Sequence, residues 1–285
     1  YVPWLVLIAS MHTMIIFKKS ETALKTSIVL VTSTFLLILY ATFLTRSGIL
    51  GNASVHSFTD LGLSGQLLVY MFVFMIGAIV LAAIRWKHIP TSEKEASTYS
   101  REFWIFIGAL TLCLMAFQVI VPTSFPVFNA ITEAFGGLSS LAQPANQIEF
   151  YSKWQLWFAV ALALLSGTGQ FFYWKKMDKD KLKSALAIPI IVALLLSAVI
   201  FTVAKIYNPS YIIILVAAIY SIVSNSKILL GLFKSKSYTL TGGSVAHIGI
   251  AMMLLGIMFS EGYSRVLSEN TTTISQDFTE EQNTN

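Results

Sequence analysis

Four histidines, His12, His56, His88 and His247, and a single cysteine, Cys113, carry most of the chemistry this sequence offers. His12 and His247 each sit in an uninterrupted apolar run, YVPWLVLIASMHTMIIF and SVAHIGIAMMLLGIMFS. An imidazole among apolar side chains is costly, so it faces a helix bundle and binds or hydrogen-bonds something there. Three readings fit the pair. Both rings can ligate one haem iron from opposite faces. Each can instead be a packing residue, bonded to a hydroxyl or carbonyl of a neighbouring helix. A proton relay is the third, but relays recruit intramembrane carboxylates, and no apolar run carries Asp or Glu at its centre.

The remaining candidates are weaker on the residues alone. His56 lies in TRSGILGNASVHSF, where glycines let the backbone approach a ligand closely and Arg46 stands at the edge of an apolar run. Arg46 fits a carboxylate such as a haem propionate. It fits equally a snorkelling anchor beside an ordinary loop histidine. His88, in RWKHIP, reads as a solvated residue among basic neighbours. Cys113 lies in an apolar run. One cysteine supports neither an internal disulfide nor a thiolate metal site, and no CxxCH haem-attachment motif is present.

The elements that must position these residues are membrane helices. Hydrophobic residues make up 55% of the 285-residue chain and charged residues 12%, with a mean hydropathy of +0.72. That composition specifies an all-α, polytopic integral membrane protein. Eight apolar segments of spanning length can be marked: 1–17, 27–45, 66–84, 103–121, 154–174, 185–204, 211–232 and 244–260. They form a transmembrane bundle over 1–260, with longer connections at 46–65 and 122–153. The second connection, rich in aromatics and proline, is expected to be a packed cap on the membrane surface. A polar, acidic tail over 261–285 reads as flexible or as the start of a further region. The chain is expected to be a piece of a longer protein.

Basic residues set the orientation. Lys18, Lys19, Lys25, Arg85, Lys87, Lys94, Arg101, Lys175, Lys176, Lys179, Lys181, Lys183, Lys234 and Lys236 fall on one side, against Arg46, Lys153, Lys205 and Arg265 on the other. The first side is therefore cytoplasmic. The net charge of +5 is explained by topology, and no nucleic-acid surface is indicated. His12 then lies roughly 8 Å inside the cytoplasmic edge, and His247 about 6 Å inside it on a helix of opposite direction. Two imidazoles at one depth are what a bis-histidine haem requires.

With these residues in place, the chain resembles the CcmF family, the haem-lyase core of bacterial system I cytochrome c maturation. Pro3, Trp4 and Leu5 followed by His12 are similar to the segment after that family's tryptophan-rich WWD motif. Thr42–Phe58, TFLTRSGILGNASVHSF, resembles its periplasmic loop, and Ser244–Met258, SVAHIGIAMMLLGIM, its histidine-bearing helix. PTSFP, at Pro122–Pro126, is a weaker match. The related CcsA family also carries a WWD motif, but the RSG–SVH spacing fits CcmF better.

The resemblance implies that His12 and His247 are the axial ligands of a haem b. It implies that His56 is one of two periplasmic histidines holding the substrate haem, and that Arg46 contacts a propionate. The implied partners are haem, apocytochrome c, CcmH-type and CcmE-type maturation proteins, membrane lipid and quinol. The implied place is the bacterial inner membrane, with the functional face periplasmic. The WWD motif and the first periplasmic histidine belong upstream of Tyr1, so this stretch alone is expected to be inactive as a haem lyase. Two alternatives of other classes remain: a membrane cytochrome b passing electrons from quinol, which leaves His56 without a role, and a small-molecule transporter, for which no inverted repeat is visible.

Overall fold

A computed structural model describes residues 1–17, 23–51, 62–90, 96–174 and 177–263. Among these the fold is all-α. The helices are α1 (Val2–Phe17), α2 (Leu24–Arg46), α3 (Ser64–Arg85), α4 (Arg101–Thr123), α5 (Phe125–Ala134), α6 (Gln147–Gly169), α7 (Lys179–Ala204), α8 (Pro209–Lys234) and α9 (Gly242–Gly262). Each of the eight expected segments is a helix, and α5 is an addition inside the 122–153 connection.

Six helices are long and apolar enough to cross a membrane: α2, α3, α4, α7, α8 and α9. The expectation was eight. α1 has 16 residues, about 24 Å of helix against a hydrocarbon core of about 30 Å. α6 has 23 residues, but its first turns carry Gln147, Glu149, Ser152, Lys153 and Gln155, which dilute its hydropathy. Both are nevertheless packed within the bundle.

Packing divides the helices into two groups. α1 lies between α2 and α4; α8 is the mast of the second group and touches α6, α7 and α9. Leu5, Val6, Ala9, Ala109, Leu112 and Ala116 form the core of the first group. Ala159, Val160, Ala163, Leu215, Ala217 and Tyr220 are central to the second. α4 against α6 joins the two groups. α3 is peripheral, packs on α2 and buries none of its residues.

The small residues of Ser166–Gly169 let α6 pack closely on α8. A β-carbon on Gly167 would lie 2.7 Å from Tyr220 Cε1 and 3.2 Å from Ser221 Cα. Only glycine lets α6 approach α8 this closely.

Helix ends follow local chemistry. Ser100, Asn146, Asp178 and Asn208 cap α4, α6, α7 and α8 with side-chain oxygens that accept first-turn N–H groups. Pro122 and Pro126 flank the break between α4 and α5, and Pro126 sits in the first turn of α5, where a missing N–H costs nothing. Hydroxyls inside the helices mostly donate to the carbonyl four residues back, as Thr34, Thr111 and Thr202 do. That satisfies them without a partner helix.

The 122–153 connection is only partly the compact cap expected. Val127 packs with Phe43, Leu44 and Leu50. Asn129 ties the following loop, accepting from Ser139 Oγ and Leu141 N and donating to the Leu141 carbonyl. Phe135 and Leu138, however, stand 89% and 100% exposed. Nothing in the described bundle covers them. The expected tail from 261 is described only to Tyr263, and its remainder lies outside the described residues.

Candidate functional site

His12 sits one turn and a half from the end of α1, and His247 one turn and a half from the start of α9. The two helices belong to different groups, so the rings meet across the seam between them. Their centroids are 6.2 Å apart and their planes differ by 23°.

Each ring uses Nδ1 to hold itself in place. His12 Nδ1–H donates to the Ile8 carbonyl at 2.8 Å, one turn back on its own helix. Gln170, just past the end of α6, donates Nε2–H to His247 Nδ1 at 2.7 Å. Neither Nε2 bonds to any of the described residues. His12 shows the pattern of a metal-ligating histidine, with Nδ1–H donated to the protein and Nε2 presented, whereas His247 accepts at Nδ1.

Gln170 is itself held. Its second N–H donates to Asn225 Oδ1 at 2.9 Å, and its Oε1 accepts from Ser244 Oγ at 3.0 Å. Asn225, fully buried on α8, donates Nδ2 to the carbonyls of Ser221 and Ser166 at 2.9 and 3.2 Å. Two carbonyl acceptors fix which end of the Asn225 amide is nitrogen, and hence which end of Gln170 faces His247. Ser166 Oγ meets Ser221 Oγ at 2.7 Å, and Thr168 Oγ1 meets Tyr220 OH at 2.9 Å, continuing this polar seam along α6 and α8.

Arg101 closes the site from α4. Its Nη2 donates to the Gln170 carbonyl at 3.2 Å, its guanidinium lies over the Trp174 ring, and its backbone N–H donates to Tyr173 O. Met177 N donates to Tyr99 O at 2.7 Å beside it. The chain after α6 is therefore pinned to the start of α4, and with it the residue that holds His247.

The fit to a haem can be tested on this geometry. Metal–imidazole bonds of about 2.0–2.1 Å on each side of an iron put two ring centres roughly 6 Å apart, near the spacing observed. A bare cation held by side chains alone usually takes about four ligands, and no group of three or more His, Cys, Asp or Glu exists among the described residues. Two axial nitrogens suffice only for a group that brings its own equatorial donors. The ring spacing is compatible with two axial imidazoles on one haem iron.

The other candidates lie elsewhere. Arg46 is the last residue of α2, roughly 33 Å along that helix from its start, so it cannot serve the His12–His247 pair. His56 lies outside the described residues. His88 is exposed in a short 3-10 turn after α3. Cys113 packs against the first core as a half-buried thiol. Sequence reasoning overlooked Gln170, Asn225 and Arg101. The available signal was an asparagine in the middle of an otherwise apolar α8 and a glutamine directly after Ser166–Gly169.

Comparison with known proteins gives relatives of one kind. The cytochrome c-type biogenesis protein CcmF of Escherichia coli is 27% identical over 269 residues, covering 93% of this chain and 40% of that protein. CcmF of Haemophilus influenzae is 27% identical over 278 residues, covering 93% and 41%. The cytochrome c-type biogenesis protein ccl1 of Rhodobacter capsulatus is 31% identical over 208 residues, covering 71% and 30%. The chain thus spans about two fifths of the length of the CcmF relatives. No family model matches, and no solved structure does.

Proposed function

This chain is a homologue of the CcmF/Ccl1 cytochrome c-type biogenesis proteins over about 93% of its length, and on that footing we propose that it handles haem for cytochrome c assembly. His12 and His247 hold a haem b between the two helix groups through their Nε2 atoms. When bound, that group supplies a one-electron ferric–ferrous couple inside the membrane. The chain's own residues keep the two imidazoles opposed, brace the seam through Gln170 and Arg101, and exclude water with the flanking helices. His56 binds the substrate haem on the opposite, periplasmic face, where apocytochrome c and CcmH-type and CcmE-type proteins meet it, and Arg46 contacts a propionate. The setting is the bacterial inner membrane, and the complete protein is a haem-lyase component.

The observation that carries this reading is the His12–His247 pair at 6.2 Å, each ring tied through Nδ1. Its test is a reduced-minus-oxidised visible spectrum of the full-length protein purified from membranes, beside His12→Ala and His247→Ala. A low-spin b-type signal lost in both variants is expected. A folded wild type with no such signal overturns the reading, and loss in only one variant overturns the paired ligation. His56→Ala should leave that signal intact and stop cytochrome c maturation; normal maturation removes its role.

A further inference from the structure

The two imidazoles are tied by opposite chemistry. The partner of His12 Nδ1 is a carbonyl, which only accepts, so the proton is on Nδ1 and the Nε2 lone pair is ready for a metal. The partner of His247 Nδ1 is an amide nitrogen, which only donates, so the neutral ring carries its proton on Nε2. Turning the Gln170 amide over would relieve this, but its oxygen would then oppose Asn225 Oδ1. Asn225 cannot follow, because that would aim its own oxygen at the Ser221 and Ser166 carbonyls.

We propose that Gln170, locked by Asn225, is a positioning residue that sets the orientation and tautomer of His247. His12 is thereby the ready ligand of the pair, and His247 the conditional one. This rests on the haem reading above only for its consequence; the tautomers themselves belong to the haem-free protein. Coordination through His247 Nε2 requires this lock to rearrange or the Nε2 proton to leave to water. The two axial positions are unequal before any ligand arrives.

Two measurements on the full-length protein decide the matter. The first is a histidine-selective 15N spectrum of haem-free protein, with each ring assigned by its His→Ala variant. The wild type should show His12 protonated at Nδ1 and His247 at Nε2. Gln170→Glu, whose carboxylate only accepts, should move the His247 proton to Nδ1, Asn225→Leu should give a mixture, and His12 should not change. A His247 ring that stays Nε2-protonated in both variants overturns the proposal, whether or not the protein binds haem.

The second is a redox titration and a haem-retention assay on haem-loaded protein. A carboxylate behind a ligating histidine raises its basicity, so Gln170→Glu should keep a low-spin spectrum with a more negative midpoint potential. Gln170→Leu, which keeps the volume and loses the tie, should retain haem about 10–100-fold less well. Potential and retention unchanged in both variants would also overturn the proposal. A wild type without haem overturns the paired-ligand reading instead, and the 15N result still decides the role of Gln170.

Discussion

The seam between the two helix groups is built differently at its two ends. Where α1 finishes and α9 begins, Gln170, Asn225, Ser244 and Arg101 form a branched network that ends on His247, and His12 is tied separately to Ile8 of its own helix; among the described residues neither imidazole bonds through Nε2. Where α4 finishes and α6 begins, Gln155 donates to Gln118 Oε1 and the Met115 carbonyl, and Tyr40 OH donates to Ser124 Oγ. Those bonds satisfy Gln155 and Tyr40 but leave Gln118 Nε2 buried without a partner. Polarity inside a membrane bundle is therefore a poor marker of function taken alone. Both ends leave a polar atom over; the first is distinguished by leaving imidazole nitrogens, which can ligate a metal, where the second leaves an amide N–H, which cannot.

The contrast can be broken most severely at Gly167. Gly167→Val drives a branched side chain into Tyr220 and the backbone of Ser221. About 1–3 kcal/mol of destabilisation is expected, read as a lower melting temperature in detergent. Because the α6–α8 approach also aligns Ser166 with Asn225, the haem spectrum should weaken with it. A full-strength spectrum at normal stability would sever the packing from the site.

Asn225→Leu comes next. It removes the fixed donor to two carbonyls and releases Gln170, at about 1–2 kcal/mol, and should loosen bound haem more than it lowers stability. Gln155→Leu sharpens the comparison from the other end: about 0.6 kcal/mol, with the haem spectrum unchanged. A spectral change there would mean that the two ends communicate. Smallest of all, Phe135→Ser at an 89% exposed position should stay within about 0.5 kcal/mol by thermal melting. A larger loss would place that ring in a buried contact.

Much of this arrangement was legible in the sequence. Apolar run length located some helices to within a few residues, as 27–45 became Leu24–Arg46 and 244–260 became Gly242–Gly262, but missed the polar first turns of Gln147–Gly169 and Lys179–Ala204, expected at 154–174 and 185–204. Depth counting put His12 and His247 at one level, and the structure brings the rings together. α5 escaped notice because ten residues opening on Phe125 and Pro126 give too short a period to separate from a loop. Arg101 was read as topology alone, since nothing in its neighbours announces a carbonyl 69 positions away. Gln170 and Asn225 were missed for a different reason. Ionisable groups stand out in an apolar run by their charge, whereas an amide that both donates and accepts sets a tautomer without carrying charge.

None of the 22 residues of α3 is fully buried; Leu67 packs on the Phe43–Leu44–Leu50 cluster, Phe74 meets the Phe35 ring, and Lys25 Nζ lies 5.0 Å over the Trp86 ring just past its end. Such a helix is selected for solubility in hydrocarbon and hardly at all for shape. Away from Leu67 and Phe74, its apolar letters should be exchangeable almost in any order, Val for Leu or Phe for Ile, with little to measure. A single charge at its centre would cost about 2.5–3.5 kcal/mol on insertion. For α3, composition carries nearly all the information and spelling almost none.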